Sequence, residues 1–67
     1  MSLTLKAARV NAGLSQKDAA KALEISVDTL SRYERGLSFP DVPTIKRIER
    51  LYKTSYNELI FLVKDYG

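Results

Sequence analysis

The sequence contains no cysteine and no histidine. The first absence excludes disulfides and thiolate chemistry, and the second excludes imidazole acid–base catalysis. Together they remove the zinc-finger frames. No stretch approaches the roughly 18 consecutive apolar residues of a membrane span. Met1 to Lys6 lack the apolar core of a secretory signal. There is no glycine-rich phosphate loop and no pair of acids placed for acid–base work, so no enzyme is expected. Neither a metal, a cofactor nor a small-molecule ligand is implied. No segment alternates apolar and polar residues long enough to suggest a strand. Internal repeats and low-complexity tracts are also missing. The reading is a soluble cytoplasmic protein held together by packing and helix caps alone.

What is present suits one small domain spanning 1–67. Apolar residues make up 45% of the chain, enough to argue against wholesale disorder. The formal charge is +3, from 11 basic and 8 acidic side chains. A basic balance is compatible with a nucleic-acid partner and equally with a generic basic surface. The placement of the charges has to decide.

Start and stop signals mark five helices. The first runs from about Thr4 to Ala12, with Leu5, Ala8, Arg9 and Ala12 on one face and Gly13 at a left-handed end position. Ser15, followed by Asp18, opens the second at Gln16, which continues to about Leu23. Ser26 caps the third, from Val27 to about Arg35, which Gly36 stops. About three residues separate helices two and three, too few for an antiparallel hairpin, so the two must cross steeply. Leu30, Tyr33 and Glu34 share one side of helix three; Asp28, Ser31, Arg32 and Arg35 fall largely on the other. Asp41 caps a fourth helix whose apolar face is Ile45, Ile48, Leu51 and Tyr52, with Pro43 in its first turn. Ser55 and Glu58 form a capping box for a fifth, from Tyr56 to about Val63, before a frayed end.

Ala12-Gly13-Leu14-Ser15-Gln16, Ala20, Ile25-Ser26, Leu30-Ser31-Arg32-Tyr33-Glu34-Arg35-Gly36 and Pro40 together carry a resemblance. As a set, with this spacing, the chain from about Leu5 to Ile60 resembles the Cro/repressor-type (Xre) helix-turn-helix family. The resemblance implies an all-α, compact, five-helix lambda-repressor-like DNA-binding domain, with helices two and three as the helix-turn-helix. Ala20 is small where helix three crosses helix two, and Ile25 plugs the core from the turn. Two positions depart from the family, which usually has glycine at the sites of Glu24 and Lys53. A residue other than glycine with positive φ costs on the order of 1 kcal/mol, so strain or a different turn is expected at Glu24.

The resemblance also implies roles. Base edges in a major groove would be read by Val27, Asp28, Thr29, Ser31 and Arg32. Arg32 suits guanine O6 and N7 together; Asp28 suits a cytosine amino group or, equally, the first-turn helix dipole. Gln16, Lys17, Arg35 and Ser38 would contact the DNA backbone, helped by the N–H groups that open helix two. Arg9 and Glu34 would be a structural ion pair joining helix one to helix three. Tyr33, Tyr52 and Tyr56 occupy apolar helix positions and read as core rather than as a base-stacking platform.

Four consecutive apolar residues, Ile60 to Val63, cannot all face one core on a helix. An exposed part would form a contact surface, so Phe61 and Leu62 are candidate dimer contacts; burial of helix five or cover from residues 64–67 is the alternative. The expected protein is a transcriptional regulator, a repressor, binding double-stranded DNA as a homodimer on a palindromic operator. Half-sites would lie about 34–36 Å apart. A protein-interaction module such as an antitoxin is the competing reading, and the chain would be a stand-alone Cro-like protein or an excised domain.

Overall fold

The computed structural model describes residues 3–61. Four α-helices account for most of them: α1 (Leu5–Asn11), α2 (Gln16–Leu23), α3 (Val27–Glu34) and α4 (Val42–Tyr52). A two-residue strand, β1 (Leu3–Thr4), precedes α1. A 3-10 turn (Tyr56–Glu58) and a second short strand, β2 (Leu59–Ile60), follow α4.

Each helix begins where a side-chain oxygen takes an otherwise orphaned N–H. Thr4 Oγ1 accepts from Ala7 N at 3.1 Å, Ser15 Oγ from Asp18 N at 3.0 Å, Ser26 Oγ from Thr29 N at 3.0 Å and Asp41 Oδ1 from Thr44 N at 3.0 Å. Each helix also ends on a left-handed residue: Gly13, Glu24, Gly36 and Lys53, with φ of 76°, 63°, 78° and 54°. In the first three ends the following residue's N–H reaches back five positions: Leu14 N to Arg9 O, Ile25 N to Ala20 O and Leu37 N to Arg32 O. Thr54 N to Glu49 O closes the fourth in the same way. These backward bonds satisfy the last carbonyls of each helix.

The core is Leu5, Ala8, Ala19, Ala20, Leu23, Leu30, Ile48, Tyr52 and Leu59, with Leu14, Ile25, Tyr33, Leu51 and Phe61 packed around it. Every helix contributes, because each carries a buried stripe at helical spacing. Leu23, Leu30 and Ile48 are its largest fully buried side chains. Ala19 and Ala20 are 0% and 1% exposed, and their small side chains let α3 and α4 pack closely on α2.

Three expectations change. The fifth helix is a single 3-10 turn: instead of continuing, the chain extends at Leu59 and Ile60 to pair in parallel with Leu3 and Thr4. The same pairing supplies the strands that the sequence pattern did not suggest. Two residues are too short for alternation to register, and their partners lie at opposite ends of the chain. Tyr56, expected in the core, is 48% exposed, because the 3-10 turn faces it outward. Leu62, Val63 and the frayed end lie outside the described residues.

Candidate nucleic-acid interface

The corner between α2 and α3 sets the site. Glu24 adopts φ 63° and ψ 39°, and its N–H donates to Lys21 O at 3.1 Å while Ile25 N donates to Ala20 O at 3.0 Å. The chain therefore turns sharply, and Ser26 at once caps a new helix. Leu30, at 0% exposure, anchors the inner side of α3 in the core, and half-buried Tyr33 and buried Glu34 continue that side.

The outer side of α3 displays Val27, Asp28, Arg32 and Arg35 to solvent. Val27 is 43% exposed, an apolar residue with no core to join. Thr29 and Ser31 are half-buried, and both hydroxyls have intramolecular partners. The Ser26 and Thr29 hydroxyls lie 2.9 Å apart, and Ser31 Oγ accepts from Arg35 Nε at 3.2 Å. Arg32 Nε donates to Ser38 Oγ at 3.4 Å. These bonds hold the two guanidiniums by their Nε edges, leaving the terminal nitrogens of both for another acceptor. Thr29 and Ser31 thus sit beside the reading surface, with Thr29 tied to the cap.

Lys17 is exposed in the first turn of α2. Gln16 is half-buried, and its Nε2 donates to Glu34 Oε1 at 2.9 Å. One of the two amide protons is therefore committed within the protein, which fixes the direction of the other.

Behind this surface lies a buried charged cluster. Arg9 Nε donates to Glu34 Oε2 at 2.7 Å and Nη2 to Oε1 at 3.4 Å, while Nη1 donates to Leu14 O at 2.9 Å. The two side chains are 9% and 4% exposed. The Tyr52 hydroxyl is buried close by, with no hydrogen-bond partner among the described residues. Burial, reinforced by the Glu34 charge and opposed by Arg9, pushes the Tyr52 phenol up to about 12. The bond from Gln16 to Glu34 and the use of Leu14 O were not foreseen. Gln16 directly after a cap reads as solvent-facing; only the inward position of Glu34 hints at a second donor.

Phe61 is half-buried, its ring 4.8 Å from Phe39 and 5.7 Å from Tyr56. Phe39 is 56% exposed and Ile60 44% exposed, so this aromatic group forms an apolar surface.

A family profile described as "Helix-turn-helix" matches residues 5–59. The HTH-type transcriptional regulator ImmR of Bacillus subtilis (strain 168) is 43% identical over 56 residues, covering 84% of this chain and 44% of that protein. The HTH-type transcriptional regulator DdrOP3 of Deinococcus deserti is 36% identical over 63 residues, covering 94% of this chain and 49% of that protein. The chain thus spans about half the length of the curated relatives it matches. No solved structure matches it significantly.

Proposed function

The chain belongs to the helix-turn-helix family, in its Xre-type branch, and from that premise we propose that it binds double-stranded DNA sequence-specifically as the DNA-reading part of a transcriptional regulator. The observation that carries the proposal is the exposed outer side of α3, offered by the Glu24 corner with its arginines steadied by neighbouring hydroxyls. An α-helix with that outline fits a major groove.

In this reading Arg32 takes guanine O6 and N7, Val27 meets a thymine methyl and Asp28 accepts from a cytosine amino group. Ser31 and Thr29 contribute through the edges their internal bonds leave open. Lys17, Arg35, Ser38 and the remaining Gln16 proton hold phosphates, with the N–H groups of α2 behind them. Arg9 and Glu34 keep α1 and α3 in one orientation. Two copies pair through the surface around Phe61, bind a palindrome together and repress by covering the promoter. The place of action is the cytoplasm, where such DNA lies.

Selection of bound duplexes from a random pool tests the proposal. A recovered palindrome with half-sites one helical turn apart supports it. A pool that stays unenriched in dilute buffer overturns it, since phosphate contacts alone strengthen binding as salt falls.

A further inference from the structure

A second cationic face lies away from α3. Lys46, Arg47, Arg50 and Lys53 are all exposed along the outward side of α4. Arg47 and Arg50 make no salt bridge among the described residues. The acid between them, Glu49, turns its Oε2 to the N–H of Tyr56 at 2.7 Å, and Glu58 accepts from Thr54 Oγ1 at 3.1 Å. Beside this stripe runs an open groove of about 370 Å³ between α2 and α4, lined by Ala22, Glu24, Arg47, Arg50 and Leu51. Leu51 and Ala22 give it an apolar part, and Arg47 and Arg50 a cationic one. No residue of α3 lines it.

We propose that this groove docks an acidic amphipathic helix of a partner protein, apolar residues on Leu51 and Ala22 and carboxylates on Arg47 and Arg50. Charge complementarity selects the sign of the partner, and bidentate guanidinium–carboxylate pairing its chemistry. Leu51 and Ala22 select a protein over a phosphate backbone: a uniformly anionic polymer gains nothing from them, whereas an amphipathic helix sets apolar residues there and can keep its carboxylates away from Glu24. The proposal goes beyond DNA reading and does not rest on it, because the groove and the outer side of α3 share no residue.

The test uses a fluorescein-labelled, stapled helix bearing a leucine stripe flanked by glutamates, and its glutamine counterpart, in anisotropy titrations against the full chain. The glutamate probe binds, and the glutamine probe binds more weakly. Arg47→Glu with Arg50→Glu weakens the glutamate probe by about tenfold or more, and a lysine version of the probe recovers affinity on that variant. Both arginines are exposed, so the urea midpoint of the variant stays near that of the parent; Arg47→Gln with Arg50→Gln repeats the loss if the reversed charges unsettle the fold. Equal binding of the two probes overturns the proposal. So does a variant that keeps the glutamate probe but loses a duplex of arbitrary sequence, its log–log salt slope falling by about 1.8 for two released phosphates, which would make this face a DNA contact.

Discussion

Replacing Glu34 by alanine removes the carboxylate on which two helices converge. Arg9 loses bonds of 2.7 and 3.4 Å, Gln16 loses one of 2.9 Å, and a guanidinium whose side chain is 9% exposed keeps only Leu14 O. The pair itself adds little net stability, because burying both charges costs much of what their attraction returns. Stranding one of them is different and costs about 3–5 kcal/mol. At roughly 0.05–0.15 kcal/mol per residue, a chain of 67 residues holds on the order of 3–10 kcal/mol in total. Glu34→Ala therefore leaves the domain marginal. With a urea m-value of about 1 kcal/mol/M for a small domain, the midpoint followed by circular dichroism falls by about 3 M or more. Arg9→Met combined with Glu34→Leu removes both charges and keeps most of the volume, so it should recover most of the loss. A Glu34→Ala midpoint equal to the parent's refutes the reasoning. So does a double variant as unstable as the single one, since the damage would then not come from the uncompensated arginine.

Tyr52→Phe deletes a hydroxyl that is buried without a partner and should raise stability by about 1 kcal/mol, read by thermal or urea unfolding. The same variant should flatten the alkaline limb: the folded state favours the neutral phenol, so this support is complete below pH 10 and drains away as pH climbs toward 12. Glu24→Gly relieves a left-handed residue and should stabilise by up to about 1 kcal/mol, whereas Glu24→Val should destabilise, both visible in melting temperature. Asp41 has its carboxyl held below the usual range, chiefly by hydrogen bonding to Thr44, so its help to α4 is present above the ordinary carboxylate pKa and lost as pH falls through the lowered one; Asp41→Asn should blunt that part of an acid titration of helicity. On a selected duplex, Arg32→Ala should cost about 1–3 kcal/mol and relax one base preference, whereas Arg35→Ala should weaken all duplexes alike and lower the salt slope by about 0.9.

Local signals were legible because their causes are local. Ser15, Ser26 and Asp41 announce helix starts through bonds to N–H groups three residues away, and the structure contains each of them. The short link from Leu23 to Val27 likewise contains its own explanation in Glu24. The segment after α4 was misread for the opposite reason. Ser55 and Glu58 carry a helix-start signature, yet Leu59 and Ile60 extend because Leu3 and Thr4 offer backbone partners from the far end of the sequence. No short window holds both sides of that competition. The outer side of α3 was visible in the pattern of charges, but its side-chain bonds were not. Ser38 reaches Arg32 only after the loop has folded back, and Gln16 reaches Glu34 only once α1, α2 and α3 have met.

The short ladder between Leu3–Thr4 and Leu59–Ile60 also has a mechanical side. The two strands run the same way, so tension applied between the chain ends pulls them past each other lengthwise. All their bonds share the load, whereas an antiparallel pair tugged at one end would unzip one bond at a time. Traction on anything fused beyond Leu3 or Phe61 is thus borne first at this seam, before it reaches the helices that hold α3 in place.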